Sequence, residues 1–154
     1  MRRSRTLLSA ILALVVWGVS SAALAEDAGK SGTFLLHPIG HVEKTGAATT
    51  IVLDERYEPG VLGMESGDKI WVLWWFDRND TAEMRAILQV HPRGNPDNPL
   101  TGVFSTRSPV RPNLIALTRC TVLAVRGNVI EIDAIDAFPD TPVLDIKRAY
   151  EAER

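Results

Sequence analysis

The most constraining feature of this sequence is an unbroken run of seven apolar residues at positions 70–76. The run holds three of the four tryptophans and is rich in the β-branched and aromatic types that favour strands. A continuous apolar run of this length is short for a globular helix and predicts a strand that is buried on both faces. We therefore expect this strand to pass through the centre of the core.

Short strand patterns separated by turn signals fill most of the remaining sequence. Pro38 suggests that the first of them lies at an edge or a bulge, and the charged residues from Lys147 onward have little to bury. We predict a mainly β protein, and a small single-sheeted β-barrel rather than a sandwich, because closure removes the exposed edges of the sheet. The predicted strands besides 70–76 cover 33–43, 49–53, 87–91, 114–125, 129–135 and 142–146.

The N-terminus has the three parts of a secretory signal peptide. Arginines at positions 2, 3 and 5 precede an uncharged apolar stretch, and Ala23-Leu24-Ala25 matches a cleavage site. We predict cleavage after Ala25 and a periplasmic or secreted protein. The alternative is an uncleaved anchor, because residues 7–25 are just long enough to span a bilayer. The predicted organisation is a signal peptide over 1–25, a flexible lead over 26–32 and one barrel domain over 33–150.

Charge and cysteine content narrow the possible functions. Without residues 1–25 the chain has 14 basic and 19 acidic residues, a net charge of −5. That balance argues against non-specific binding to nucleic acid, which needs a basic surface. Cys120 is the single cysteine, so no internal disulfide can form, and its apolar neighbours predict a buried and inert side chain. No membrane contact is expected after signal cleavage.

Metal and hydrolase sites have little support in the sequence. His37 and His41 would lie roughly 13 Å apart along a strand, too far for one ion, so we predict no metal site. Ser105 and Ser108 lack the sequence of a nucleophile elbow. A glycosidase-like carboxylate pair is conceivable, although acidic residues near strand ends more often cap turns. The candidates for such a pair are Asp133, Asp136, Asp140 and Asp145.

Residues 102–118 form the strongest candidate site. Two prolines flank Arg111 and fix φ on either side of it, which stiffens the loop and lowers the entropy lost on binding. Arg107 and Arg111 present planar donor forks that suit a carboxylate or a phosphate. Asn113 can both donate to and accept from a nucleobase edge. The alternative is an internal latch in which both arginines pair with nearby aspartates, and the residue types alone support the two interpretations equally.

Motifs along most of the chain resemble the TsaA-like (TrmO) family and follow the family's order at compatible spacing. The resemblance implies a small β-barrel that works as a homodimer. It also implies a methyltransferase that uses S-adenosylmethionine to methylate N6 of threonylcarbamoyladenosine in tRNA. The motifs are His37-Pro-Ile-Gly-His-Val42, Arg56-Tyr-Glu-Pro-Gly60, residues 70–76, residues 102–118, and Asp136-Ala-Phe-Pro-Asp-Thr-Pro-Val-Leu-Asp-Ile-Lys147.

The resemblance also implies which residues bind the methyl donor. S-adenosylmethionine needs hydrogen-bond donors for its carboxylate and acceptors for its ammonium group and ribose hydroxyls, and the protein mainly has to align donor and acceptor. Arg107 is expected to hold the carboxylate or to hold the site together, and Arg111 and Asn113 are expected to orient the acceptor as the catalytic pair. The implied donor-binding residues are Asp77, Arg78, Arg107, Leu117, Asp140, Thr141 and Pro142.

The sequence departs from the family pattern within these segments. Asp77 stands where many members have histidine, Leu114 and Ala116 replace a proline and a glycine, and Asp140 replaces a turn glycine. Export would also separate the protein from tRNA, which is the expected partner only in the cytoplasm. Two further functions therefore stay open: an exported barrel that binds a nucleoside-like or carboxylate-bearing small molecule, and a structural dimer module.

Overall fold

The structure, a computed structural model, describes residues 32–150. The chain divides into two compact units between Leu35 and Leu36, and the described residues of the first unit, 32–35, form neither helix nor strand. The barrel belongs to the second unit. The predicted signal peptide and nearly all of the predicted lead lie outside the described residues.

Strands dominate the described part of the chain. They are β1 (Gly40–Thr45), β2 (Ala48–Leu53), β3 (Lys69–Trp75), β4 (Gln89–Val90), β5 (Thr101–Gly102), β6 (Ile115–Arg126), β7 (Val129–Ile132) and β8 (Pro142–Arg148). A short helix, α1 (Ala82–Ala86), lies between β3 and β4. Turns of 3-10 helix cover Glu55–Val61, Asp77–Asn79, Pro92–Gly94 and Val103–Ser105.

Six of the strands form a closed antiparallel barrel in the order β1-β2-β7-β6-β3-β8. Strand β1 closes the barrel against β8 through the pairs Gly40–Val143 and His41–Pro142. The two remaining strands, β4 and β5, pair with each other in the long connection between β3 and β6. The predicted single-sheeted barrel is therefore confirmed, and this connection between β3 and β6 contains most of the candidate site.

The apolar run forms β3, but its burial differs from the prediction. Ile70, Val72 and Trp74 are buried in the barrel, whereas the alternate side chains Trp71 and Leu73 are only half-buried. The prediction of a strand buried on both faces is wrong, because a single-sheeted barrel encloses only the inner face of each strand. An apolar stripe is left on the outside.

Strand β1 begins seven residues later than the pattern predicted. Proline at position 38 has no N–H to give to a sheet, and the partner strand β8 starts only at Pro142, opposite His41. Where β1 starts, a Cβ on Gly40 would lie 2.2 Å from the backbone oxygen of Val52. Glycine at this position therefore permits the close approach of β1 and β2.

The ends of β7 and β8 also differ from the prediction. Strand β7 stops at Ile132 because the next side chain, Asp133, accepts hydrogen bonds from the backbone N–H groups of Thr121 and Ala134, each 2.8 Å long. Strand β8 continues to Arg148, whose guanidinium donates to Asp68 at 2.6 Å. The strand continues past its predicted end because β3 is long enough to pair with Lys147 and Arg148, although both of these side chains are exposed.

Candidate functional site

The arginine–proline segment folds into a loop that Arg111 ties together from within. Its half-buried guanidinium donates to three backbone carbonyls, those of Ser108 at 2.9 Å, Val103 at 2.9 Å and Thr106 at 2.8 Å. The latch interpretation is therefore correct in kind for Arg111, but its partners are carbonyls of its own loop rather than aspartates. Sequence patterns do not reveal such partners, since every residue carries a carbonyl.

Arg107 lies in the same loop and is held much less firmly. It is exposed, and within residues 32–150 its guanidinium makes a single hydrogen bond, of 3.4 Å, to the carbonyl of Leu117. Most of its planar donor fork is thus available to a ligand. The two arginines, equivalent in the sequence, have different surroundings in the fold.

A cavity of about 180 Å³, which we term the Arg107 cavity, lies where this loop meets the ends of β3 and β6. Trp74 and Phe76 form an aromatic wall, with ring centroids 4.8 Å apart in an edge-to-face arrangement. Arg107 and Asp136 place opposite charges on this cavity. The lining residues are Trp74, Phe76, Thr106, Arg107, Arg111, Ile115, Ala116, Leu117, Thr118 and Asp136.

A chain of hydrogen bonds connects the aromatic wall to the carboxylate. The indole N–H of Trp74 donates to the hydroxyl of Thr118 at 3.0 Å, and that hydroxyl donates to Asp136 at 3.1 Å. The chain fixes the carboxylate at the cavity while leaving its second oxygen able to accept a bond. Neither Thr118 nor Asp136 is among the residues implied to bind the donor or to orient the acceptor; Thr118 ends the candidate segment 102–118, and Asp136 is named above only for a carboxylate pair. Both lie in the family-like motifs, which is the signal that could have identified them.

The other implied donor-binding residues form a separate group beside the cavity. Asp77 and Thr141 approach each other at 3.5 Å between side-chain oxygens, and Arg78 lies over the ring of Phe138 at 3.9 Å. Asp140 has φ of +66°, the left-handed conformation that glycine adopts without strain. Pro142, half-buried, begins β8. The structure thus brings Arg107, Arg111 and Leu117 to the cavity and gathers the rest at the turn before β8.

Asn113 is exposed and does not line the cavity. The next residue, Leu114, is fully buried with φ of +50°, so the chain turns sharply between the loop and β6. The roles predicted for Arg111 and Asn113 in orienting an acceptor stay predictions.

Helix α1 is attached to the arginine–proline loop through Arg85. Its guanidinium donates to the carbonyl of Pro112 at 2.7 Å and to Asp80 at 2.8 Å. The hydrogen bond from Arg85 holds the pKa of Asp80 below its usual range, so this ion pair stays charged in mildly acidic solution. The contact supports the loop from the outside.

Cys120 lies on the inner face of β6 and is 1% exposed, which confirms the predicted buried side chain. Burial, with the nearby carboxylates of Asp133 and Asp136, raises the pKa of its thiol to about 12. Such a thiol is neither a nucleophile nor a metal ligand at neutral pH.

Over residues 32–150, no three His, Cys, Asp or Glu side chains lie together as a metal site would need. Among the same residues, no helix is both long and apolar enough to cross a membrane.

Comparison with known proteins agrees with the geometry. The family model of the tRNA-methyltransferase O N-terminal domain matches residues 37–152. A probable S-adenosyl-L-methionine-binding protein of Methanocaldococcus jannaschii is 46% identical over 114 residues, which are 74% of this chain and 90% of that protein. The tRNA (adenine(37)-N6)-methyltransferase of Rattus norvegicus is 34% identical over 142 residues, and the match covers 80% of this chain but only 32% of the rat enzyme.

A crystal structure of TrmO from Pseudomonas aeruginosa has the same fold. Its TM-score is 0.58 at 21% identity, and the match covers 77% of this chain and 57% of that chain. The matched domain model and the identity to the archaeal protein show that the chain belongs to the tRNA-methyltransferase O N-terminal domain family.

Proposed function

We propose that this chain binds S-adenosylmethionine in the Arg107 cavity and transfers its methyl group to N6 of an adenine in tRNA. One observation carries the proposal. The available guanidinium of Arg107 and the fixed carboxylate of Asp136 line the same cavity, beside an aromatic wall. Relatives named for binding S-adenosyl-L-methionine and for methylating tRNA support it.

The side chains at the cavity match the chemistry of that donor. The fork of Arg107 can bind a carboxylate, and the carboxylate of Asp136 can accept from an ammonium group or a ribose hydroxyl. The half-buried ring of Phe76, which packs edge-to-face on the buried Trp74, offers a surface on which an adenine ring can lie. Because 180 Å³ is less than a ligand of this size fills, the remainder would extend over the surface beside the cavity.

The sulfonium of S-adenosylmethionine supplies an activated methyl group, so the protein contributes mainly alignment. The three carbonyl bonds of Arg111 hold the loop that carries Arg107. The bond from Thr118 fixes Asp136. We assign Arg111 a positioning role, and Arg107 and Asp136 the contacts with the donor.

Calorimetric titration of the purified protein with S-adenosylmethionine tests this assignment. We expect saturable binding to the wild type and a loss of affinity of roughly tenfold or more in Arg107→Met, because a charge-assisted bond is removed. Arg126→Met is the matched control: it removes an exposed arginine that pairs with Glu131 on the β6–β7 hairpin, and it should bind as the wild type does. Absence of heat with the wild type at millimolar donor would refute the proposal.

A second candidate function follows from the N-terminal sequence. A cleavable signal over residues 1–25 and a net charge of −5 in the remainder favour an exported barrel that holds a nucleoside-like or carboxylate-bearing small molecule in the same cavity. Fusing residues 1–30 to a reporter that is active only outside the cytoplasm distinguishes the two. Reporter activity would favour the exported binding protein, and its absence would favour the tRNA enzyme.

The outer apolar stripe supports a homodimer. Trp71 and Leu73 are half-buried on the outside of β3, and Leu117, opposite Leu73 on β6, is 47% exposed. We infer that these outward-facing apolar side chains form part of a dimer interface, which would cover their exposed area. We expect Leu73→Glu to reduce the mass measured by light scattering from that of a dimer to that of a monomer. A wild type that is already monomeric at high concentration would contradict the dimer.

A further inference from the structure

A second and larger cavity, which we term the Arg93 cleft, adjoins the Arg107 cavity. Its volume is about 960 Å³, and it lies between the β4–β5 connection and the arginine–proline loop. Thr106 and Arg107 line both cavities. A molecule in the Arg93 cleft would therefore lie directly beside one in the Arg107 cavity.

The charge of this cleft is opposite to that of the chain around it. Arg93, Arg107 and His91 line it, and none of the described residues that line it is an aspartate or a glutamate. The chain from residue 26 onward carries a net charge of −5, so a carboxylate-free cavity with two arginines is a local exception. Such a cavity attracts an anion by its field and binds it through planar donor forks.

The remaining walls of the cleft are mostly apolar and stiff. Ile87, Val90 and three prolines, Pro92, Pro96 and Pro109, supply flat surfaces that lose little conformational entropy when a ligand packs on them. An apolar wall next to a cationic edge fits a molecule with a planar ring and a phosphate. A nucleotide has both.

The turn that carries Arg93 is held in an unusual conformation. Arg93 has φ of +60°, which is costly for any residue with a side chain. Two hydrogen bonds maintain the turn. The N–H of Gly94 donates to the carbonyl of His91 at 2.9 Å, and the side-chain amide of Asn98 donates to the carbonyl of Pro92 at 2.7 Å. The ring Nδ1 of His91 donates to the carbonyl of Asn98 at 2.7 Å. Arg93 is thus carried on a defined turn beside the cleft.

We propose that the Arg93 cleft is the acceptor site and that it binds a phosphate-bearing nucleotide, with the phosphate at Arg93 and the base against the wall formed by Pro92, Pro96 and Pro109. The inference rests on the proposed function, because it takes the adjoining Arg107 cavity as the place of the methyl donor. It assigns to His91 and Arg93 a part in binding the acceptor.

Direct binding of RNA tests the assignment without relying on turnover. The probe is a fluorescein-labelled anticodon stem–loop RNA, and binding is measured by anisotropy over a series of salt concentrations. We expect Arg93→Gln to weaken binding about five- to twentyfold and to lower the salt slope by about one, as for the loss of one phosphate contact. Arg126→Gln, which makes the same change of charge on the β6–β7 hairpin, should leave both quantities unchanged.

Two further measurements separate the possible failures. Titration with AMP distinguishes a free nucleotide from RNA as the ligand. If AMP binds the wild type, Arg93→Gln weakens that binding and RNA does not bind, the nucleotide site is supported and RNA is excluded as its ligand. Titration with S-adenosylmethionine should be the same for Arg93→Gln and the wild type. If S-adenosylmethionine fails to bind the wild type, the proposed function fails. If it binds but Arg93→Gln affects neither RNA nor AMP, or neither binds the wild type, the acceptor site is overturned.

Discussion

Replacing Arg111 with methionine should cost the fold far more stability than replacing Arg107, although the two lie in one loop. Methionine keeps most of the apolar stem of arginine and removes the guanidinium. In Arg111→Met three hydrogen bonds of 2.8–2.9 Å to backbone carbonyls are lost. In Arg107→Met the loss is one exposed bond of 3.4 Å.

The expected magnitude follows from what the carbonyls of Arg111 retain. A bond from a charged donor is worth about 1.5–3 kcal/mol, but such bonds from one side chain are not additive. The carbonyl of Val103 keeps its bonds from the N–H and hydroxyl of Thr106, so its loss is the least costly. We expect a loss of about 2–4 kcal/mol for Arg111→Met and less than about 0.5 kcal/mol for Arg107→Met.

Thermal unfolding followed by circular dichroism measures the difference. At about 4 °C per kcal/mol for a domain of this size, Tm should fall by roughly 8–16 °C in Arg111→Met and by less than about 2 °C in Arg107→Met. Arg107→Met should nonetheless lose affinity for S-adenosylmethionine. Equal Tm values for the two variants would refute the division into a structural and a ligand-binding arginine.

Three further changes test other parts of the structure. Asp140→Gly should raise Tm by about 2–4 °C in calorimetry, since φ of +66° strains a residue with a Cβ; a lower Tm would show that the carboxylate stabilises the turn. Gly40→Ala should disrupt the β1–β2 approach, where the new Cβ would lie 2.2 Å from the oxygen of Val52, and a native-like amide spectrum at unchanged Tm would contradict this. Cys120, with a pKa of about 12, should be alkylated by iodoacetamide at pH 8 at the rate of global unfolding; fast alkylation of the native protein would show that the thiol is accessible.

Much of the barrel could be predicted from local sequence, because alternation and apolar runs report which residues face the core. The run at 70–76 marked β3, and its neighbour β6 was placed to within one residue at each end. The burial of β3 on one face could not be read from that run, since the outer tryptophans look the same in sequence as the inner ones. Closure against β8 depends on pairings between distant segments, which no local pattern encodes.

The candidate site was predictable where residue type decides the chemistry and not where three-dimensional placement does. A guanidinium in a stiff loop makes Arg107 a candidate for binding an anion, while the residue types alone support an internal latch equally. The different role of Arg111 could not be predicted, since its partners are carbonyls common to every residue. Asp136 is held at the cavity by a hydrogen bond from Thr118, which is eighteen positions earlier in the chain.

The short seam between β1 and β8, which closes the barrel, determines where the native protein opens. Strand β1 pairs with β8 at Gly40 and His41, whereas β3 pairs with β6 along its whole length. The β1–β8 seam has two residue pairs, fewer than the four or more of every other pair of neighbouring strands in the barrel. In native-state hydrogen exchange, the amide of Val42, which donates to the carbonyl of Thr141, should therefore exchange through local opening. The amides of β3 should instead exchange only with global unfolding, so the two rates diverge as denaturant is lowered.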